Sequence, residues 1–335
     1  MPPVDVVMGI NDASGRGLVT SQWDPYNFRH FHTLRYRRVY ENRCFESGTK
    51  SENIWYDRSF RCCPPLPYPL LRVRVTRMFP FSFSTMEQAL LQAMFKTTPL
   101  HMASFSGHHD VAVRLLDRGA SVDARDVKQH TPLHLASYSG HQNIAHTLLD
   151  RGAHVDARDG EQRTPLHLAS LSGHQNIALT LLDRGAHVDA RDGEQRTPLH
   201  IASKKGHQNL ALTLLDRGAQ LDARDDNQQT PLHLASMYGH QNVAVTLLDR
   251  GAQVDARGIK QDTPLHAASA FGHQIIALTL LDRGAKVDSR SDEQMTPLHI
   301  ASKRGHQNVA LTLLDRGAQL DARDDNQQTP LHLAS

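Results

Sequence analysis

The sequence predicts an all-α fold, a solenoid of helix-turn-helix units joined by short β-turn fingers. Three observations predict it: one tetrapeptide recurs every 33 residues, a glycine follows it at a constant distance, and each unit carries an apolar stripe. A repeat of about 20–50 residues is typical of proteins whose units pack only on their neighbours. The tetrapeptide Thr-Pro-Leu-His begins at Thr98, Thr131, Thr164, Thr197, Thr230, Thr263, Thr296 and Thr329.

Each unit contains its own helix start and helix stop. Thr is a favoured N-cap residue, and Pro in the next position sacrifices no hydrogen bond because N–H groups of the first turn have no partner within the helix. Thr98-Pro99 therefore predicts the start of a short first helix, and Gly107 predicts its left-handed end. A second helix is predicted to run up to Gly119.

Apolar residues form one stripe on the second helix. In the third unit they are Ile177, Ala178, Leu181 and Leu182, a spacing that places them on a single helix face. Helices shorter than about 12 residues are marginal in isolation. We therefore expect each pair of helices to be stable only when it packs on neighbouring units.

The chain resembles the ankyrin-repeat family, because it shares the Thr-Pro-Leu-His-x-Ala motif and the 33-residue period. The resemblance covers residues 96–335. It implies a β-turn and two antiparallel helices per repeat, stacked into a curved solenoid that binds other proteins. The expected repeats 1 to 8 are 96–128, 129–161, 162–194, 195–227, 228–260, 261–293, 294–326 and a truncated 327–335.

Residues 1–85 form a leader that lacks the repeat. It carries 12 basic and 7 acidic residues, a net charge of +5, whereas residues 86–335 carry a net charge of −3. Apart from an alternating stretch at Leu71–Val75, the leader shows no sustained helical or strand period. We expect it to be disordered or mis-assigned coding sequence, and the remaining alternative is a small domain of its own. The capping box beginning at Ser84 predicts a helix over 86–95 that covers the first repeat.

The carboxyl end interrupts a repeat. Residues 197–236 and 296–335 differ at only two of 40 positions, which indicates duplication of a three-repeat block. The second copy ends inside a first helix, so we expect the sequence to be truncated at Ser335. Leu331 and Leu333 are then expected to lack the second helix that would cover them.

The 22 histidines do not indicate a metal site. Eight belong to Thr-Pro-Leu-His and seven to Gly-His, and none has the spacing of zinc ligands. The resemblance implies that the first set bridges backbone groups between repeats. No nucleotide-binding, nucleophile-elbow or metalloprotease motif occurs. The sequence therefore predicts a non-enzymatic protein with no catalytic, cofactor-binding or metal-binding residues.

One arginine recurs at the base of every finger. An Asp follows it in each copy except at Gly258 and Ser291, which predicts a solvated row in which each Arg is neutralised by the next Asp. The row comprises Arg125, Arg158, Arg191, Arg224, Arg257, Arg290 and Arg323.

The two residues before each first-helix glycine vary freely between otherwise similar repeats. In the ankyrin family this pair and the finger tips line the concave surface, so we expect the partner to bind there, with aromatic anchors and an acidic segment facing the cations. The alternative is drift at a solvent-facing position that packs partly against the next repeat. The expected partner-binding residues are Phe105, Tyr138, Leu171, Lys204, Lys205, Met237, Tyr238, Phe271, Arg257, Arg290, Lys303 and Arg304.

The expected function is that of a protein-interaction scaffold or adaptor. Two alternatives stay open: a repeat-bearing piece of a larger signalling protein, and a nucleic-acid-linked adaptor acting through basic residues such as Arg35–Arg38. The acidic array itself is not expected to attract nucleic acid. Without a signal peptide or an apolar span, we expect a cytoplasmic or nuclear protein, monomeric when its end is capped.

Overall fold

The computed structural model describes residues 6–9, 18–21 and 96–334, which belong to two units, Met1–Pro80 and Phe81–Ser335. In the first unit, strand β1 (Val6–Gly9) pairs antiparallel with β2 (Leu18–Ser21), a pairing that the sequence analysis did not predict. The remaining expectations for the leader, the Leu71–Val75 strand, Arg35–Arg38 and the 86–95 helix lie outside the described residues.

Paired short helices make up the second unit, as the sequence predicts. The first helices of repeats 1 to 8 are Pro99–Ser106, Pro132–Ser139, Pro165–Ser172, Pro198–Lys205, Pro231–Met237, Pro264–Phe271, Pro297–Lys303 and Pro330–Leu333. The second helices of repeats 1 to 7 are His109–Asp117, Gln142–Asp150, Gln175–Asp183, Gln208–Asp216, Gln241–Asp249, Gln274–Asp282 and Gln307–Asp315.

The predicted helix signals are confirmed. Thr197 has extended backbone angles, and its side-chain oxygen accepts a hydrogen bond from the N–H of His200. Pro198 opens the helix, and Gly206 ends it with a φ of 77°. The His side chain completes a capping box by accepting from the Thr N–H, a role for His in helix capping that the sequence analysis did not assign.

The apolar core runs without a break through the stacked repeats. Leu133 and Ala136 of a first helix are fully buried, as are Ile144 and Leu148 of the second helix beside it. First helices of neighbouring repeats pack more closely together than second helices do. Because a stack that is tighter on one side bends toward that side, the first helices line the inner, concave face.

A row of ion pairs joins the ends of successive second helices on the outside of the stack. Each Arg reaches back 34 residues to an Asp of the preceding repeat, with N–O distances of 2.5 to 2.7 Å. Because the pairs are exposed, each adds little to stability, and they leave this face nearly neutral. The pairs are Arg151–Asp117, Arg184–Asp150, Arg217–Asp183, Arg250–Asp216, Arg283–Asp249 and Arg316–Asp282.

Five fingers are closed by a buried carboxylate. In the finger that follows repeat 4, Asp225 accepts hydrogen bonds from the N–H groups of Asn227 and Gln229, both at 2.9 Å. Asp126, Asp159, Asp192 and Asp324 accept the corresponding pairs of bonds in their fingers. After repeat 6 the position holds Ser291, whose buried hydroxyl has no hydrogen-bond partner.

Changing Ser291 to Asp is therefore expected to stabilise the array by about 1–2 kcal/mol, because a carboxylate there can accept two backbone N–H groups. Chemical denaturation followed by far-ultraviolet circular dichroism measures the effect. Ser291→Ala is the matched control, since it removes the unpartnered hydroxyl without adding an acceptor. Equal stability of the two variants would contradict the role assigned to the carboxylate.

At the carboxyl end, Leu331 is 77% exposed and Leu333 is half-buried. The expectation that Leu331 is uncovered is confirmed. Among the described residues, no helix has the length and apolar character needed to cross a membrane.

Candidate functional site

The variable pair that precedes each first-helix glycine occupies two different environments. Its first members, from Phe105 in repeat 1 to Met237 in repeat 5, are half-buried between neighbouring repeats. In repeats 4 to 7 its second members are exposed. We call these two sets of positions the inner row and the outer row. The sequence does not distinguish the two rows, because the difference depends on how each helix is rotated against its neighbours.

The inner row is held by the next repeat along the chain. His240, from the Gly-His of repeat 5, donates from Nε2 to the carbonyl oxygen of Lys204 at 3.0 Å. The equivalent bond recurs at distances of 3.0 to 3.3 Å from repeat 2 to repeat 7. A Cβ at Gly206 would lie only 2.5 Å from Nδ1 of the same imidazole, so glycine is required there for contact as well as for its positive φ. The backbone that presents the variable pair is therefore fixed.

The outer row changes character along the stack. It holds serine in repeats 1 to 3, at positions 106, 139 and 172. In repeats 4 to 7 it holds Lys205, Tyr238, Phe271 and Arg304, all exposed, and the two rings expose 45% and 54% of their surface. Large aromatic surface exposed at a fixed position is what a binding anchor requires.

Both aromatic rings are supported on one side. The Lys204 ammonium lies 5.3 Å from the centroid of the Tyr238 ring, a cation–π contact. The Phe271 ring stacks on His273, with 6.5 Å between centroids and 13° between planes. Since each ring already rests on a neighbour, binding would cost less side-chain entropy than it would for free rings.

Histidines of Thr-Pro-Leu-His bridge adjacent repeats, as the family resemblance implies. His200 Nδ1 accepts from the Thr197 N–H at 3.1 Å, and Nε2 donates to the carbonyl oxygen of Gln229 at 3.1 Å. This network assigns the single proton to Nε2. The bond to the following repeat recurs at 2.9 to 3.2 Å from repeat 1 to repeat 7.

These imidazoles are held in the neutral form. Burial lowers the pKa of His134, His167 and His200 to about 4. The hydrogen bond from Nε2 to a backbone carbonyl oxygen raises the pKa, but by less than burial lowers it. Protonation at Nδ1 would also point a proton at the Thr N–H that already donates to it. Their chemistry is therefore structural, and they are not positioned to exchange protons with a substrate at neutral pH.

The arginine row differs from its prediction. Nη1 of Arg257 donates to the carbonyl oxygens of Gln261 at 3.1 Å and of Arg290 at 2.8 Å. Nη1 of Arg290 donates in the same way to the carbonyl oxygens of Gln294 and Arg323. No ion pair forms between a row Arg and the Asp that follows it in the described fingers, so the predicted neutralisation is wrong. The reason is that those Asp side chains turn inward to accept backbone N–H groups. Arg257 and Arg290 are thus no less engaged than the other members, although no Asp follows them.

A second exposed apolar group was missed by the sequence analysis. Ile275 and Leu278 on the second helix of repeat 6, and Leu311 on that of repeat 7, expose 57%, 38% and 50% of their surface. They lie on the second helices, away from the outer row. The signal available in the sequence was Ile275, which replaces the Asn found at this position in repeats 2 to 5 and 7.

Across residues 96–334 and the two strands of the first unit, no group of three or more His, Cys, Asp or Glu side chains is arranged to hold a metal ion. The histidines of Thr-Pro-Leu-His are instead engaged in caps and bridges between repeats, and the buried finger aspartates accept backbone N–H groups. The outer row in repeats 4 to 7 is consequently the candidate site, and its character is that of a contact surface.

Comparisons with known proteins agree with this architecture. The family profile for ankyrin repeats (three copies) matches residues 81–159, 187–258, 222–291 and 265–335, and the single ankyrin-repeat profile matches 161–193. The crystal structure of the human ASB11 ankyrin repeat domain is 30% identical in sequence, with a TM-score of 0.61, and the match covers 66% of this chain and 99% of that domain. A search of the curated proteins finds no match.

Proposed function

The chain belongs to the ankyrin-repeat family, and from that premise we propose that it is a non-enzymatic scaffold whose protein partner binds across the concave face. Ankyrin repeats are in general protein–protein interaction modules. The proposal places this chain's contact at the carboxyl ends of the first helices. The observation that carries it is the exposure of Tyr238 and Phe271 at equivalent positions of adjacent repeats.

The rest of the molecule supports a binding role. Core and capping residues repeat almost unchanged, whereas the variable pair differs from repeat to repeat on a backbone that the Gly-His contacts hold rigid. A surface that varies on a rigid scaffold is suited to recognition, because little ordering is required on binding. A cytoplasmic or nuclear location, consistent with an array that contains no cysteine, and a monomeric state when the end is capped belong to the same proposal.

Replacing Tyr238 and Phe271 together with Ala is expected to abolish partner binding with little loss of stability, because both rings are largely exposed. Proteins retained from an extract of the source organism, quantified by mass spectrometry, report binding, and thermal unfolding reports stability. The matched control is the pair Ile275→Ala and Leu278→Ala, which removes similarly exposed apolar groups from the other helix layer.

Proteins retained by the wild type and the control but lost from the Tyr238→Ala, Phe271→Ala variant would identify the partner. A large loss of stability in that variant would show that the rings belong to the core. Equal retention by all three proteins would contradict the proposed site.

A further inference from the structure

The basic residues of the candidate site are arranged in a definite order. Along repeats 4 to 7 the outer row holds Lys205, Tyr238, Phe271 and Arg304, so two aromatic residues lie between two cations. Each cation has a second one beside it at the first position of its pair, half-buried Lys204 in repeat 4 and exposed Lys303 in repeat 7. The same positions of repeats 1 to 3 carry no charge.

These four cations are not neutralised by the protein. The eight first helices contain no Asp or Glu at all. Within the part of the chain that the structure describes, none of these cations forms an ion pair with any acidic residue, including the acidic residues at the finger tips. The four cations are Lys204, Lys205, Lys303 and Arg304. The second-helix layer behaves differently, since six Arg–Asp ion pairs join its successive repeats. The carboxyl ends of the first helices of repeats 4 and 7 thus carry unpaired positive charge on an array whose net charge is negative.

The spacing of the row sets the size of what it can hold. Neighbouring helices lie about 8–10 Å apart, so the three intervals from Lys205 to Arg304 span roughly 25–30 Å. An extended peptide advances about 3.3 Å per residue, and therefore about nine residues reach from one basic end to the other. The central two positions offer aromatic surface, which favours apolar side chains there.

We propose that the partner contacts this row through a segment that is acidic at both ends and apolar in the middle. The proposal rests on the protein-binding function proposed above and specifies its ligand. Carboxylates at the ends pair with Lys204 and Lys205 and with Lys303 and Arg304, and apolar side chains at the centre pack on the free sides of Tyr238 and Phe271. The paired cations steer the segment and fix its register, while the rings supply most of the affinity.

The test uses random twelve-residue peptides displayed on phage and selected on the full chain. Enriched peptides are then synthesised, and their affinities are measured by fluorescence anisotropy. The proteins compared are the wild type, the charge-reversal variant Lys205→Glu with Arg304→Glu, the variant Tyr238→Ala with Phe271→Ala, and the control Ile275→Ala with Leu278→Ala. Thermal unfolding verifies that each variant is folded.

We expect enriched peptides with Asp or Glu near both ends and apolar residues between them. Charge reversal is expected to weaken their binding at least tenfold, ring removal to weaken it similarly, and the control to leave it unchanged. Raising the salt concentration is expected to weaken binding to the wild type and to have a smaller effect on the charge-reversal variant.

Other outcomes separate the two proposals. Peptides without acidic residues that are lost only on ring removal would overturn the acidic ligand and retain the binding site. Peptides insensitive to both pairs of substitutions, or no enrichment at all, would count against the site itself. Tighter binding of a single-stranded oligothymidylate, lost on charge reversal, would replace the acidic peptide with nucleic acid as the ligand.

Discussion

Lowering the pH from about 7 to about 4 is expected to remove several kcal/mol from the free energy of unfolding of the repeat array. Burial holds the pKa of His134, His167 and His200 at about 4 in the folded protein, against 6.5 for an unperturbed imidazole. The unfolded chain therefore binds more protons between these two values. Stability is complete above about pH 6.5 and declines as the pH falls toward 4.

The magnitude follows from the size of the shifts. One pKa unit corresponds to about 1.4 kcal/mol, so each of the three imidazoles removes roughly 3 kcal/mol when the pH has fallen to about 4. His101, His233 and His266 act in the same direction, because burial lowers the pKa of each. Neighbouring repeats are coupled through these residues, and the loss is expected to spread along the stack.

Urea unfolding followed by circular dichroism at several pH values between 7.5 and 4.5 (about half a unit apart) measures the effect. His200→Gln is expected to reduce the slope of stability against pH, since the amide does not titrate. The matched control is His187→Gln, the same substitution in a finger, where the side chain is 84% exposed. An unchanged slope in His200→Gln would assign the pH dependence to other groups.

Replacing Ser104, Ser137 and Ser170 together with Ala is expected to raise the free energy of unfolding by about 3–6 kcal/mol. Each of these hydroxyl groups is completely buried on a first helix and has no hydrogen-bond partner. A buried polar group without a partner costs about 1–3 kcal/mol, and Ala also has the higher helix propensity. Ser203, Ser236 and Ser269 repeat the same feature in repeats 4 to 6.

The same three helices supply the control. Ser106, Ser139 and Ser172 lie at their carboxyl ends, where water reaches the side chain. Changing these three to Ala alters helix propensity by a similar amount and relieves no buried hydroxyl. Thermal and urea unfolding compare the two triple variants. A gain no larger than that of the control would mean that the buried hydroxyls are satisfied in solution.

The position of the candidate site was predictable from the sequence, but which of its residues are exposed was not. The variable pair was identified because core positions repeat and the pair does not. Half-burial of Met237 beside an exposed Tyr238 was not predictable, since adjacent residues of a helix point about 100° apart and only the neighbouring repeat decides which one is covered. The hydrogen bond of Arg257 was not predictable for a similar reason, because its acceptor, the Arg290 carbonyl oxygen, belongs to the next finger.

The sequence by itself determined the local structure of the array. Thr at the N-cap, Pro in the first helical turn and Gly at the helix end each act over four or five residues. Their structural consequences can therefore be derived from residues that are close together in the sequence. Tertiary structure alone decided the contacts between repeats, which join residues 29, 33, 34 and 36 positions apart. These distances depend on how one repeat stacks on the next, and that stacking also leaves the cations of repeats 4 and 7 unpaired on either side of two exposed rings.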